Sequence, residues 1–235
     1  MGAIYKREML SYFTGSMGYV FIAVFLALTG GVFSICTLFQ GEESDIASFF
    51  IFILFIYSII VPLLTMKSFS EERKSKTEQL LLTCPVSITG MVMGKFLSAY
   101  TMFAGSFVVS CINFYTLFRF GSPNVAVLVS YSLGILLIGA AYVAIGIFIS
   151  SLTENQLIAA IATIGTLIIM LVISFVNQYV DFYPLQIVLD WISIYSRFSN
   201  FTYGILDVSS LFYYFSISFV FLFLTVRVYE KRRWS

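Results

Sequence analysis

The sequence contains no histidine. Its absence excludes haem with histidine ligands, histidine-based metal sites, Ser–His and Cys–His nucleophile pairs, and histidine proton relays. Cysteine is also rare, with only Cys36, Cys84 and Cys111 scattered along the chain. Such a set is too small for a disulfide framework or a metal cluster, so we interpret the three as small apolar or loop residues. We therefore predict no catalytic residue, no metal and no cofactor on this chain.

Charge is scarce as well. Charged residues make up 11% of the 235 residues and hydrophobic residues 60%, against about 25% and about 45–50% in average soluble domains. A soluble globule of this size could not hide so much apolar surface, and the composition therefore predicts a polytopic membrane protein. The net charge of +1 lacks the basic signature of nucleic-acid binding.

Six stretches are long and apolar enough to cross a bilayer, which requires about 20 residues. They cover residues 18–39, 46–66, 96–118, 125–150, 157–177 and 209–228. The first five contain no ionisable residue, and Arg227 lies at the rim of the sixth, where it can reach the membrane surface. We predict an all-α fold in which residues 1–235 form a single transmembrane domain with six helices.

The basic residues are distributed unevenly between the two sides of this topology. If the N-terminus is cytoplasmic, only Arg119 and Arg197 of the 13 lysines and arginines fall outside. Because cytoplasmic loops are enriched in lysine and arginine, this distribution predicts that both termini are cytoplasmic.

The first 17 residues precede the first span and contain an amphipathic pattern. Lys6 and Arg7 lie off an apolar stripe that occupies about 100° of a helical wheel. The stripe consists of Tyr5, Met9, Tyr12 and Phe13. One interpretation is a basic helix that lies on the inner membrane surface. The other is a leader that only orients the first span.

The predicted cytoplasmic loop over residues 67–95 begins with helix-start signals. Ser68 and Glu71 have the spacing of a capping box, and Ser75 with Glu78 repeats it. A short helix is predicted to follow and to end at the next proline. Ser87 is then predicted to cap the next helix, which runs on into the third span.

Three adjacent leucines, Leu80, Leu81 and Leu82, close this short helix. Outside the bilayer they need an apolar environment. One candidate is the lipid headgroup region, and the other is a groove on a cytoplasmic partner protein.

The string Gly90-Met91-Val92-Met93-Gly94-Lys95-Phe96 resembles a phosphate loop only superficially. A phosphate loop needs one more residue between the glycines, a Ser or Thr after the lysine, and a preceding strand. We therefore predict that the chain has no nucleotide-binding motif and is not an enzyme, so any ATP it uses is hydrolysed by another polypeptide.

The short turn at 151–156 joins the fourth and fifth spans. Thr153 and Gln156 have capping-box spacing and are predicted to start the fifth span. Both spans are rich in small residues, which allow helices to approach closely in lipid. The set comprises Gly134, Gly139, Ala140, Ala141, Ala144, Gly146, Ala159, Ala160, Ala162 and Gly165. Internal packing and a subunit interface formed by the fifth span are the two interpretations.

Residues 178–208 form the longest outer segment and contain eight aromatic residues. This composition is unfavourable in water and typical of a membrane interface. The apolar spacing predicts a helix over 185–195, and a second short stretch over 197–207 is interrupted by Gly204. We predict short re-entrant outer helices before the sixth span.

Several strings resemble the gliding-motility-type permeases, a subfamily of the ABC-2 type permeases, which are membrane subunits of type V ABC transporters. They are KREMLSYFTGSMGYVFIAVFLALTG at 6–30, SFSEERKSKTEQLLLTCPVS at 68–87, SSLTENQLIAA at 150–160 and SRFSNFTYGILDVSSLFYYFSISFVFLFLTVRVYEKRRW at 196–234. The resemblance implies a bacterial inner-membrane protein that pairs with a second permease chain, identical or homologous. It also implies two ATPase subunits that carry ATP and Mg²⁺, and an extracytoplasmic accessory subunit in some systems.

The resemblance also suggests roles for three groups of residues. The N-terminal segment becomes an interface helix with Tyr5, Lys6, Arg7, Glu8, Tyr12 and Phe13. The segment 71–83 becomes a coupling helix that docks on the ATPase through Glu71, Glu72, Arg73, Glu78, Leu80, Leu81 and Leu82. The translocation path lies between the two permeases, and its polar candidates in spans one, two and five are Thr29, Ser34, Thr37, Ser58, Thr163 and Thr166.

The function that fits best is therefore an ATP-driven exporter subunit. The absence of charges in the span centres argues against an ion-coupled carrier or a channel. A membrane-embedded enzyme would need histidine or paired intramembrane acids, which are absent. A non-transporting scaffold of a motility or secretion machine remains the alternative.

Overall fold

The computed structural model describes residues 1–38, 46–78, 87–120, 124–177, 186, 189–191, 193–202 and 207–234. Over these ranges all regular structure is helical. The α-helices are α1 (Gly2–Thr14), α2 (Ser16–Phe33), α3 (Ile46–Thr65), α4 (Lys67–Lys74), α5 (Ile88–Ser110), α6 (Phe114–Phe120), α7 (Val125–Leu152), α8 (Gln156–Asn177), α9 (Ile194–Thr202) and α10 (Val208–Trp234). A π-helical turn, Ser34–Leu38, extends α2, and a 3₁₀ turn, Cys111–Asn113, joins α5 to α6.

The prediction of an all-α chain with six spanning helices is confirmed. The helices that are long and apolar enough to cross a membrane are Ser16–Thr37, Ser48–Lys74, Ile88–Arg119, Val125–Leu152, Gln156–Asn177 and Val208–Arg233. The third begins at the predicted cap: the hydroxyl of Ser87 accepts a hydrogen bond from the Gly90 N–H and starts the helix before the apolar stretch begins.

Helix α7 lies at the centre of the bundle and packs against α3, α4, α5, α8, α9 and α10. Its glycines make these contacts close. A Cβ on Gly139 would collide with the Phe103 ring, and one on Gly146 would collide with the Thr65 side chain. A Cβ on Gly134 would lie 3.0 Å from Cε2 of Phe198. On α7, the internal-packing interpretation of the small residues is therefore confirmed.

Aromatic side chains fill the space between α2, α3, α5 and α7. Tyr57 stacks on Phe25 with ring centroids 4.9 Å apart and meets Phe103 edge-on at 5.4 Å. Phe50 stacks on Tyr131 at 4.1 Å. Offset and edge-to-face pairs of this kind are favoured by the quadrupoles of the rings, so they fix the relative rotation of the helices.

The outer segment agrees with the predicted helices in part. Residues 189–191 and Ile194–Thr202 are helical, but the chain leaves helical geometry at Ser193, which interrupts the single helix predicted over 185–195. Phe198 and Phe201 are buried, and Tyr195 stacks on Phe175 of α8 at 5.5 Å. Gly204 lies outside the described residues, and the position of this segment relative to a membrane stays a prediction.

Candidate functional site at the charged end of the bundle

One end of the bundle collects most of the ion pairs that join separate helices, and we call it the charged end. It comprises α1, α4, the beginning of α5, and the C-terminal ends of α7 and α10. These five elements carry most of the basic residues that the positive-inside rule placed on one side. The described chain therefore groups the predicted cytoplasmic elements together, while their orientation across a membrane stays a prediction.

A ring of four charges lies at the middle of this end, and we call it the charge ring. Glu8 and Glu72 each contact both Arg7 and Lys95. The Arg7 Nη2 atom lies 2.6 Å from the Oε1 atoms of both Glu8 and Glu72. The Nζ atom of Lys95 lies 3.1 Å from Glu8 Oε1 and 2.9 Å from Glu72 Oε1. The ring is neutral overall and ties α1 to α4 and α5.

Lys95 is the buried member of the charge ring, with a side chain only 1% exposed. Its ammonium also donates a hydrogen bond to the Ser68 carbonyl at 2.6 Å and lies 4.9 Å from the centre of the Phe69 ring. A buried ammonium needs such partners, because desolvation without them would be very costly. Lys95 therefore fixes both the start and the middle of α4.

Helix α1 reaches α5 at close range because Gly94 lies beneath Ile4. A Cβ on Gly94 would lie 3.1 Å from Cγ2 of Ile4. Ile4, Glu8 and Tyr12 follow i, i+4, i+8 spacing, so one face of α1 carries the buried contacts. Tyr5, Met9 and Tyr12 of the predicted stripe contact protein, whereas Phe13 is 42% exposed.

The remaining predicted residues of α1 differ in their environments. The Tyr5 hydroxyl donates to Thr101 Oγ1 at 3.4 Å, whereas Lys6 is exposed. The Tyr12 hydroxyl donates to the Leu64 carbonyl at 3.4 Å, and burial raises the pKa of this phenol. Burial lowers the pKa of Arg7, but the hydrogen bonds and attraction from the two glutamates outweigh it and raise that pKa overall. Helix α1 thus packs on protein along its length.

Helix α4 follows α3 almost without interruption, and it starts earlier than predicted. Its N-cap position is Met66, so Ser68 is not a cap and lies buried inside the helix. Ser75 ends the helix instead of starting a new one, and its hydroxyl donates to the Glu71 carbonyl at 2.8 Å. Lys76 then adopts a positive φ of 57°, the left-handed conformation common just after a helix.

The other predicted coupling residues divide between contacts and free surface. Arg73 bonds the carbonyl of Leu152, the last residue of α7, at 2.9 Å and pairs with Glu154 in the following turn at 3.0 Å. Glu78 pairs with Arg232 of α10 at 3.2 Å. Glu71 is exposed. The leucines at 80–82 lie outside the described residues, and their role stays a prediction.

A second serine-rich junction attaches α4 to α7. The Ser150 hydroxyl accepts hydrogen bonds from the N–H groups of Phe69 (3.1 Å) and Ser70 (3.2 Å), and donates to the Met66 carbonyl at 3.1 Å. Next to it, the Ser151 carbonyl accepts a bond of 2.7 Å from Arg232. The end of α7 therefore holds both α4 and α10.

The turn into α8 has a different cap from the predicted one. Asn155 caps the helix, since its Oδ1 accepts from the Leu157 N–H at 2.9 Å, and Thr153 does not. A stronger N-cap residue next to the first helical position has replaced the capping box.

A cavity of about 630 Å³ opens between α1, the α1–α2 junction and α4. Its lining includes Arg7, Lys67 and Lys95 together with Glu8, Glu71 and Glu72. The equal numbers of acidic and basic groups give it no preference for either sign of charge.

The predicted path residues are mostly inside the chain. Thr29, Thr37, Ser58 and Thr163 are buried, and each hydroxyl donates to a carbonyl three or four residues earlier in its own helix. Ser34 and Thr166 are half-buried. If the four buried residues line a path between two chains, the helices that cover them must first separate.

Lys95 was not predicted as a site residue, because the apolar stretch of the third span starts after it. A lysine eight residues after the N-cap Ser87, followed by an unbroken apolar stretch, could have indicated a buried cation. Its partners, Glu8 and Glu72, are 87 and 23 residues away in the chain, and no local pattern links them. No pattern in the sequence indicated that Ser150 contacts α4.

A family model described as ABC-2 family transporter protein matches residues 8–229. No curated protein shows significant similarity to the chain. The family match covers the first five spanning helices, most of the sixth, and Glu8, Glu72 and Lys95 of the charge ring. The chain is a multi-pass membrane protein that belongs to the ABC-2 family of transporter permeases, whose membrane domains do not themselves hydrolyse ATP and work with ATPase partners.

Proposed function

We propose that this chain is the permease subunit of an ATP-driven exporter and that its charged end receives the ATPase. The observation that carries the proposal is the connection of α4 to three other parts of the bundle. The charge ring joins α4 to α1 and α5, while Ser150 and Arg73 join it to the end of α7. A force applied to the segment that follows α4 would therefore reach several spans at once.

The proposed complex contains two such permeases and two ATPase subunits that bind ATP and Mg²⁺. Both termini and the loop over 67–95 face the cytoplasm, and the protein lies in a bacterial inner membrane. An extracytoplasmic accessory subunit is a further candidate partner. The direction of transport and the subfamily are expected from the resemblance of the strings at 6–30 and 68–87 to gliding-motility-type permeases.

The proposed docking surface consists of exposed residues near the end of α4, next to the charge ring. Glu71, Lys74 and Lys76 are exposed, in contrast to Glu72 and Lys95. The leucines at 80–82 come next in the chain and would fill an apolar groove on the ATPase. This arrangement resembles other interfaces in which apolar anchors supply affinity and surrounding charges orient the partner.

Leu81→Asp tests the docking proposal. Loss of an apolar anchor at a protein interface costs about 2 kcal/mol, or roughly 30-fold in affinity. The variant should insert in the membrane normally, yet retain little ATPase when the complex is purified from cells that express both subunits. Leu10→Asp, at an exposed leucine on α1, is the matched control and should retain the ATPase. Equal retention by Leu81→Asp and wild type would instead favour burial of the leucines among lipid headgroups.

The translocation path is proposed between two permease chains, with α8 at the contact. Ala162 is exposed, and a Cβ on Gly165 would meet no atom within 4 Å. Small residues on a free helix face allow a second helix to approach closely in lipid.

Cysteine crosslinking in native membranes tests this contact. Ala162→Cys should form a disulfide-linked dimer on oxidation, in a background whose native cysteines are replaced. Phe219→Cys, on an exposed face of α10, is the control and should remain monomeric. Efficient dimer formation only through α10 would move the proposed path away from α8.

A further inference from the structure

The junction between α3 and α4 has an unusual cap. The first N–H groups of a helix need acceptors, and the side chain of the N-cap residue usually provides one. Here the N-cap residue is Met66, which has no oxygen in its side chain. The Ser150 hydroxyl, from a different helix, accepts from the third and fourth N–H groups of α4.

The same hydroxyl also acts on the end of α3. It donates to the Met66 carbonyl at 3.1 Å, so one oxygen atom joins the last residue before α4 to the first turn of α4. Ser150 is fully buried, and water is therefore not at hand to replace it. One helical turn earlier, Gly146 brings the α7 backbone against Thr65 at the end of α3.

One further contact continues this attachment along α4. Arg73, near its end, bonds the Leu152 carbonyl at 2.9 Å. Helix α4 is thus attached to α7 at both ends, by a buried hydroxyl at Ser150 and by a half-exposed guanidinium at Arg73. Pro62 lies in the last turn of α3 and has no N–H to offer, which weakens the helix just before the junction.

We propose that Ser150 is a positioning residue that fixes the angle between α3 and α4, so that a displacement of α4 moves α7. Without its hydroxyl, the junction at Met66 would bend and absorb the displacement. The role in transport rests on the proposed function, in which the ATPase acts on the segment after α4. The attachment itself concerns the permease alone and is tested separately.

Hydrogen–deuterium exchange of the purified permease tests the attachment. Ser150→Ala should speed exchange in a peptide containing Phe69 and Ser70 by roughly five-fold, the effect of losing one net hydrogen bond. Ser151→Ala is the matched control, because that serine is equally buried and, among the residues that the structure describes, its hydroxyl bonds only the Phe148 carbonyl of its own helix. Unchanged exchange in Ser150→Ala, or the same increase in Ser151→Ala, would overturn the proposal.

A second pair of variants separates the hydroxyl from the shape of the side chain. Ser150→Thr and Ser150→Val have the same shape, but only threonine keeps the hydroxyl. Threonine should preserve slow exchange and valine should not, even if both accumulate less than wild type. Identical behaviour of the two variants, including an identical failure to accumulate, would overturn the assignment.

The role in transport is tested in the complex with its ATPase. Nucleotide binding should change the labelling of Ala126→Cys, at the opposite end of α7, in wild type and in Ser150→Thr. The change should disappear in Ser150→Val although the ATPase still co-purifies. A nucleotide response that persists in Ser150→Val would refute the transmission through this junction. Failure of the wild-type chain to bind any ATPase would instead refute the proposed function and leave the exchange result standing.

Discussion

Replacing Lys95 by methionine removes the buried cation of the charge ring and keeps most of the side-chain volume. Glu8 and Glu72, only 15% and 17% exposed, would then share the single charge of Arg7. Breaking a buried ion pair costs about 3–5 kcal/mol. We expect about 3 kcal/mol, at the low end of this range, because Arg7 still contacts both carboxylates. For a chain of this size that corresponds to a melting temperature lowered by roughly 10 °C.

Thermal unfolding of the purified permease in detergent measures this effect, with Lys231→Met as the control at an exposed lysine of the same end. The double variant Lys95→Met with Glu72→Gln restores a neutral pair of Arg7 and Glu8, and should recover at least half of the loss. Equal melting temperatures for Lys95→Met and Lys231→Met would refute the argument. Additive losses in the double variant would also contradict it, because coupled charges are not additive.

Three further outcomes are expected. Gly139→Val places a side chain against the Phe103 ring and should destabilise the permease by about 1–3 kcal/mol, whereas Gly165→Ala, which meets no atom within 4 Å, should be neutral in the same melting assay. Lys76→Gly should raise the melting temperature slightly, since glycine adopts the positive φ of this position without strain, and a lower value would contradict the assigned conformation. In intact cells with the native cysteines replaced, a membrane-impermeant thiol reagent should label Ala126→Cys and spare Lys231→Cys, and the reverse pattern would invert the topology.

The spans and their grouping were predictable because lipid imposes a simple rule on sequence. A helix inside the hydrocarbon must make its own backbone hydrogen bonds and present apolar side chains to lipid. The number of spans can therefore be counted from the long apolar stretches of the sequence. The grouping of the basic residues also follows from a rule about loops rather than from tertiary contacts. The Ser87 cap of α5 was predictable from local sequence, but Lys95 was assigned to the loop, because its partners lie far away in the chain.

The contacts of the charged end could not be predicted, because they join residues that are far apart in the sequence. Arg7 and Glu72 are 65 residues apart, and their distance depends on how α1 folds back over the start of α5. The capping signals at Ser75 and Thr153 were wrong, because a capping box requires that the serine or threonine stand at the boundary, and tertiary packing moved both boundaries. Local spacing predicts a helix start only where no other contact competes for it.

The central position of α7 has a consequence for how the chain is assembled. Its partners α9 and α10 are synthesised after it, and the Phe148 ring meets Phe221 of α10 only when the last span is present. Until then, Phe148 on this face of α7 lacks its aromatic partner. A chain that stops before Val208 would expose this face to lipid and to quality-control proteases. Biogenesis therefore depends on the final span, although that span is itself the least buried of the six.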